Sequence, residues 1–246
     1  MTSLRRLTLL LLTLSAANAV AQGVDVSPVQ VYLSPGTTSA LVTLRNGASE
    51  ARRYQIKVLA WQQDTAGEMK LEPTKDIAFY PAMLSLPAGE ARNVRLGALT
   101  GFAAREKTYR LFIEELPPPP APGVQQIRVL TRVGIPIFLQ PTKPEQRAVL
   151  EEVSLHKGKL RVVLSNTGTQ HVRPTEVRAE GKGAGGGLLF EKEWQGWYVL
   201  AGDKRIFEAE VPRAACAGLR QLTIQITTEP EPLGATLAPS RDACGS

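Results

Sequence analysis

Histidine and cysteine are almost missing from this sequence, with two of each in 246 residues. Metal sites need clustered ligands, and neither His156 nor His171 has a second His, a Cys or paired acids at suitable spacing. Both read as turn or surface residues, and no metal or other cofactor is implied. No Ser sits in a G-x-S-x-G context, and no Gly-Lys is followed by Ser or Thr, which removes the hydrolase elbow and the phosphate loop. There is no Lys/Arg block and no aromatic–basic interleaving, so nucleic acid is not a partner. Convincing long runs with a 3.6-residue apolar period are also missing, so helix should be scarce.

One long apolar stretch is present, at the start. Arg5 and Arg6 precede Leu7 to Leu14, and the small-x-small sites Ala17-Asn18-Ala19 and Ala19-Val20-Ala21 follow. Residues 1–21 read as a cleavable export signal, with Gln22 as the mature N-terminus. The apolar run is too short to span a bilayer, so no direct membrane insertion is expected. No Cys follows to carry a lipid, and Arg5-Arg6 lacks the rest of a twin-arginine consensus. Removing the signal leaves roughly 225 residues, enough for two domains that each bury a core. The whole chain carries 29 Lys/Arg against 23 Asp/Glu. Without Arg5 and Arg6 the excess is about four, a mild charge that speaks to solubility more than to any partner.

An exported chain meets an oxidising compartment, so Cys216 and Cys244 read as a disulfide. The alternative, a pair of reactive thiols, has neither CxxC spacing nor a nearby His.

Strand signals dominate. Short runs of Val, Ile, Thr, Tyr and Leu alternate with polar residues: Val24–Leu33, Ser39–Arg45, Arg53–Gln62, Ile77–Leu86, Ala91–Leu96, Tyr109–Glu115 and Ile127–Leu139. Seven such strands in roughly 120 residues predict an immunoglobulin-like sandwich. Pro141-Thr142-Lys143-Pro144 reads as a stiff connector. Beyond it come Ala148–His156, Lys159–Asn166, Arg173–Glu180, Leu188–Glu193, Trp197–Leu200, Lys204–Val211 and Gln221–Thr227, a second and smaller sandwich. The expected fold is therefore all-β, two immunoglobulin-like domains over 22–141 and 142–246. Gly181 to Gly186 matches G-x-G-x-x-G, but an alternating segment follows it rather than a helix, so it reads as a hairpin turn. Glu114 and Glu115 are adjacent on a strand and point to opposite faces, which rules out an acid/base pair. Trp194, Trp197 and Tyr198 read as core and sheet aromatics rather than a sugar platform. Nothing argues for catalysis.

The run Ile127–Leu139 is long for such a strand. Ile127, Val129, Thr131, Val133, Ile135 and Ile137 share one face; Arg128, Leu130, Arg132, Gly134, Pro136 and Phe138 share the other. Pro136 cannot donate to a ladder, so it marks an edge, a bulge or the end of pairing. A long strand with an open edge is a liability unless a partner pairs with it.

Landmarks in order carry a resemblance: Trp61; Leu71-Glu72-Pro73-Thr74-Lys75-Asp76-Ile77; Phe79 and Pro81; Leu86-Pro87-Ala88-Gly89; and Arg92 with Val94-Arg95-Leu96. Tyr109 through Pro117, the Pro117–Pro120 run and the long strand through Phe138 continue it, and Asn166-Thr167-Gly168 with His171 fits more loosely. The chain resembles the PapD-like chaperones of the chaperone–usher pilus pathway over nearly its whole mature length. That resemblance implies a periplasmic protein that lends a strand of its first domain to an unfinished pilus subunit and delivers the subunit to an outer-membrane usher. It carries the donor role to Ile127, Val129, Thr131 and Val133; the alternative is that they fill their own sandwich. The best-known members of that family hold the subunit's terminal carboxylate with a basic pair, one residue on the first strand and one on the donor strand. The matching positions here are Gln30 and Pro136, neither of them basic. This departure places the chain among divergent members, with the archaic branch as a candidate. Arg95, Arg110, Arg128 and Arg132 become the candidate carboxylate anchors, unless they are only solvated strand faces. The rival readings are an adhesive or structural surface component, which requires the long strand to be paired on both sides, and a hydrolase on a sandwich scaffold.

Overall fold

Proline decides where several strands of the first half stop. A computed structural model describes residues 23–118, 127 and 129–244. The export-signal segment 1–21 and the candidate anchor Arg128 lie outside the described residues. Strand β1 (Val24–Ser27) ends before Pro28 and β2 (Val31–Leu33) begins after it. The alternation from Val24 to Leu33 reads as one strand but makes two, because Pro28 has no N–H to continue a ladder. Next come β3 (Ser39–Asn46), β4 (Arg52–Gln63), β5 (Met69–Pro73), β6 (Ile77–Tyr80), β7 (Met83–Leu86), β8 (Ala91–Ala98), β9 (Lys107–Leu116) and β10 (Arg132–Leu139). Pro81 splits the expected Ile77–Leu86 strand in the same way.

One sheet has the order β1-β3-β8-β6 and the other β2-β10-β9-β4-β5, with β7 also on β4. The chain changes layer between β1 and β2. The inner faces of the two sheets bury Leu33, Leu44, Val94, Leu96, Leu111, Ile113, Ile135 and Ile137.

The second half gives β11 (Ala148–His156), β12 (Lys159–Asn166), β13 (Glu176–Gly183), β14 (Leu188–Gln195), β15 (Lys204–Glu210), a short helix α1 (Arg213–Gly218), β16 (Leu219–Thr227) and β17 (Leu233–Leu237). Sheets β11-β12-β15 and β14-β13-β16-β17 enclose a separate core of Leu160, Val162, Leu164, Val177, Phe207, Leu222 and Ile224. The glycine-rich segment is the β13–β14 turn, closed by bonds between Gly183 and Gly187 (3.0 Å) and between Gly186 and Gly183 (3.0 Å). The expected strand Trp197–Leu200 shrinks to one bridge, Val199 to Val172. Among the described residues, strand pairing stays within residues 24–139 or within 148–237.

Cys216 on α1 and Cys244 form a disulfide, 28 residues apart, with Cα atoms 5.7 Å apart. Closing a loop of that length removes denatured-state freedom, so replacing both by Ala should cost roughly 3–4 kcal/mol. The midpoint of second-domain unfolding in denaturant measures this; an unchanged midpoint would contradict a structural role.

Candidate functional site

Strand β10 is paired on both sides along only part of its length. It runs antiparallel to β9 from Arg132 to Leu139, but β2 covers its other edge only at Ile137–Leu139. Residues Arg132 to Pro136 therefore present a free edge. Thr131 O accepts the Glu115 N–H at 2.9 Å, which fixes the alternation of the ladder. Odd-numbered residues bond to β9, and the main chain of Arg132, Gly134 and Pro136 faces outward. The Gln140 N–H reaching Leu33 O at 2.8 Å keeps that phase. Pro136 thus turns its missing N–H to the open side, where it breaks no bond within the sheet.

The expected strand Ile127–Leu139 is corrected at its start: it begins at Arg132. Its partner β9 stops at Leu116, and Pro117 and Pro118 have no N–H to offer further along. Ahead of that point Ile127 is 100% exposed and Val129 89% exposed. Thr131 is half-buried, its N–H donating to the Glu115 carboxylate at 3.1 Å. Val133 is half-buried against its own core, with Ile135 and Ile137 fully inside it. The apolar face thus divides: Val133 to Ile137 serve this sandwich, while Ile127 and Val129 serve none of it.

Glu114 pins the start of β10, bonding Arg132 at 2.9 Å and Lys57 of β4 at 2.7 Å. The Lys57 hydrogen bond chiefly holds its carboxyl below the usual range, with the Lys57 and Arg132 charges adding and slight burial opposing. A depressed carboxylate stabilises the fold above the ordinary glutamate range and loses that contribution as pH falls through the folded value. Solvent screening keeps the effect small. Glu114→Gln should therefore be less stable than the parent at neutral pH, with the gap closing in acid; denaturant midpoints across pH measure it.

The second feature is a crevice between the sandwiches. Arg110 on β9 lies directly opposite Pro136, with Leu59 of β4 on its other side. Its neighbours Tyr109 and Leu111 point into the core, so Arg110 points out toward the second domain. There it is only 4% exposed. Its guanidinium carbon lies 3.9 Å from the Trp61 ring centre, 5.5 Å from that of Trp197 and 6.0 Å from that of Tyr198. Nε and Nη2 have no hydrogen-bond acceptor among the described residues. Burial pulls the Arg110 pKa below its ordinary value, opposed by Tyr198. An arginine keeps its charge even so, and two unpaired donors on a buried cation favour an anion as partner.

The crevice walls come from both domains. Trp61 and Phe138 of the first pack on Tyr198 and Leu200 of the second. Buried Glu106 accepts the His171 N–H at 2.9 Å and lies 2.7 Å from His171 Nδ1. The His171 ring sits 3.9 Å from that of Phe138. His171 is thus a buried wedge between the domains, which corrects its reading as a turn or surface residue. The turn that delivers it is closed by buried Asn166, whose amide donates to Gln170 O and Val199 O, both at 2.9 Å. Trp194 packs on the second core, whereas Trp197 remains 36% exposed beside Arg110.

Of the described candidate anchors, only Arg110 reaches this crevice. Arg95 is on β8, in the opposite sheet, flanked across strands by exposed Leu41 and Tyr80. Arg132 is paired with Glu114 and lies 4.1 Å from the Phe112 ring centre. Gln30, at the other anchor position, donates its amide to Tyr198 Oη at 2.5 Å. Glu106, Trp197 and Tyr198 are contributors that no sequence motif marked; only their partners across the domain boundary give them a role.

Two immunoglobulin-like sandwiches joined in this way, with a half-open strand at the seam, define the fold class of the pilus chaperones. The family described as pili and flagellar-assembly chaperone, PapD N-terminal domain, matches residues 23–145, and the chain belongs to it. Solved structures agree in fold. One is a chain of the CsuC–CsuE chaperone–tip adhesion subunit pre-assembly complex from archaic chaperone-usher Csu pili of Acinetobacter baumannii. It aligns with a TM-score of 0.60 at 17% identity, covering 87% of this chain and 97% of that one. The class 5 fimbriae chaperone CfaA aligns with a TM-score of 0.57 at 17% identity, covering 89% and 100%. A chain of the Salmonella enterica SafA pilin complex with the SafB chaperone aligns at 0.54 and 16% identity, covering 87% and 96%. No curated protein sequence matches the chain.

Proposed function

We propose that this chain is a periplasmic chaperone that completes pilus subunits by lending them β10 and the residues ahead of it. In this reading residues 1–21 are removed on export, and 22–141 and 142–246 are the working domains. A subunit lacking one strand of its own sandwich pairs with the outward main chain of Arg132 and Gly134. It receives Ile127 and Val129 in its open core, with Thr131 and Val133 at the border between the two proteins. Arg110 takes the subunit's terminal carboxylate in the crevice. An outer-membrane usher then receives the complex, and the subunit exchanges the lent strand for a neighbour's, with no nucleotide or metal needed.

The observation that carries this reading is the free edge from Arg132 to Pro136, continued by the exposed Ile127 and Val129. The rival structural or adhesive role requires pairing on both sides of β10, which among the described residues exists only at Ile137–Leu139. Co-expression with candidate pilins should yield a one-to-one complex in the periplasmic fraction. Pilins that accumulate to the same level and stay monomeric without the chain would overturn the proposal.

A further inference from the structure

A second guanidinium approaches the same crevice from the other domain. Val172 is wholly buried, and its main chain bonds to Val199 in both directions, at 3.0 and 2.9 Å. In such an extended segment alternate residues share a face, so Arg173 follows His171 toward the crevice. Its guanidinium carbon is 5.3 Å from the Tyr198 ring centre, the same ring that lies 6.0 Å from Arg110. Burial, with Tyr198 and Glu106, pushes the Tyr32 phenol pKa up, and Arg173 lies close enough to oppose them. It is exposed, and no carboxylate pairs with it among the described residues.

Tyr198 is the shared reference point. Its hydroxyl holds Gln30, the uncharged residue where the resemblance puts a first-strand base, and its ring lies near both arginines. We propose that Arg173 is the second cation of the carboxylate site, so that one guanidinium from each domain grips the end of the bound chain. The proposal rests on the carboxylate reading of Arg110 above. It adds a consequence: a ligand bridging the two arginines ties the domains together, and the second domain contributes directly to recognition.

The probe is a synthetic peptide matching the C-terminal strand of a pilin that forms the one-to-one complex above, made with a free carboxylate and with a C-terminal amide. Calorimetry on the full mature chain compares the parent with Arg173→Gln, Arg173→Lys and Arg110→Met. The parent should prefer the free acid. Arg173→Gln should lose about tenfold toward the acid and nothing toward the amide, since a charge-assisted bond is at stake. Arg173→Lys should recover most of that loss, which packing on Tyr198 alone would not allow. If Arg173→Gln keeps the parent's full preference while Arg110→Met loses it, the second cation is elsewhere and this inference falls, with the anchor reading intact. If the parent itself does not distinguish acid from amide, the anchor reading falls and takes this inference with it.

Discussion

Replacing Ile127 and Val129 together with aspartate is expected to abolish the one-to-one complex with a pilus subunit and leave the free protein as stable as before. The first half follows from what the side chains would fill. A Val or Ile that becomes fully buried contributes roughly 1.5–3 kcal/mol, so the two together account for about two to four orders of magnitude in affinity. Burying carboxylates in their place adds a further penalty. The second half follows from exposure, because neither residue packs on its own domain; they are 100% and 89% exposed. Ile135, only 1% exposed on the same strand, supplies the contrast: Ile135→Asp should unfold the first domain outright. Pull-down from periplasmic extracts reads the first effect, and thermal melting of the purified variants reads the second. A double variant that still captures its subunit would refute the lent-strand assignment.

Arg110→Met is expected to separate stability from binding in the opposite sense to an ordinary core mutation. In the free protein the guanidinium is buried against Trp61, with two nitrogens unpaired. A methionine of similar length keeps the packing and removes the uncompensated charge, so the free chain should be unchanged or more stable by about 1 kcal/mol. Subunit affinity should fall by about tenfold to a hundredfold, the range for losing a hydrogen bond to a charged group. Denaturant midpoint and titration calorimetry on the same preparation give both numbers. Lower stability with unaltered affinity would make Arg110 a packing element and no anchor.

These two predictions mark the division between what the sequence discloses and what it hides. Alternation and turn residues were enough to place most strands of both sandwiches, and of the edge, bulge or end of pairing that Pro136 allowed from its covalent structure, the fold has the edge. Two strands escaped that reading for physical reasons. Met69–Pro73 is exposed at nearly every position, and Leu233-Gly234-Ala235-Thr236-Leu237 never fully buries a side chain, so neither shows a strong apolar face. The early start expected for β10 came from a real alternation that had no partner strand left to pair with. The crevice was less legible still. Arg110 is one polar position on a strand until Trp61 and Tyr198, far apart in sequence, close around it. His171 resembles any loop histidine until Glu106 is placed 2.7 Å away. Such environments are properties of tertiary contact, and local pattern carries no trace of them.

Pro136 also works as a ruler. Past it β2 already occupies the edge, and at it the strand has no amide hydrogen to give, so under the proposed function a visiting segment would be measured off between the exposed isoleucine upstream and this proline. Because Arg110 stands directly across from this proline, the point where such a visitor would have to stop and the charge that would greet its last residue coincide. If the proposed lending is right, a polypeptide whose terminus falls one step short or one step beyond should forfeit either the ladder or the cation, and length itself would then sort the clients.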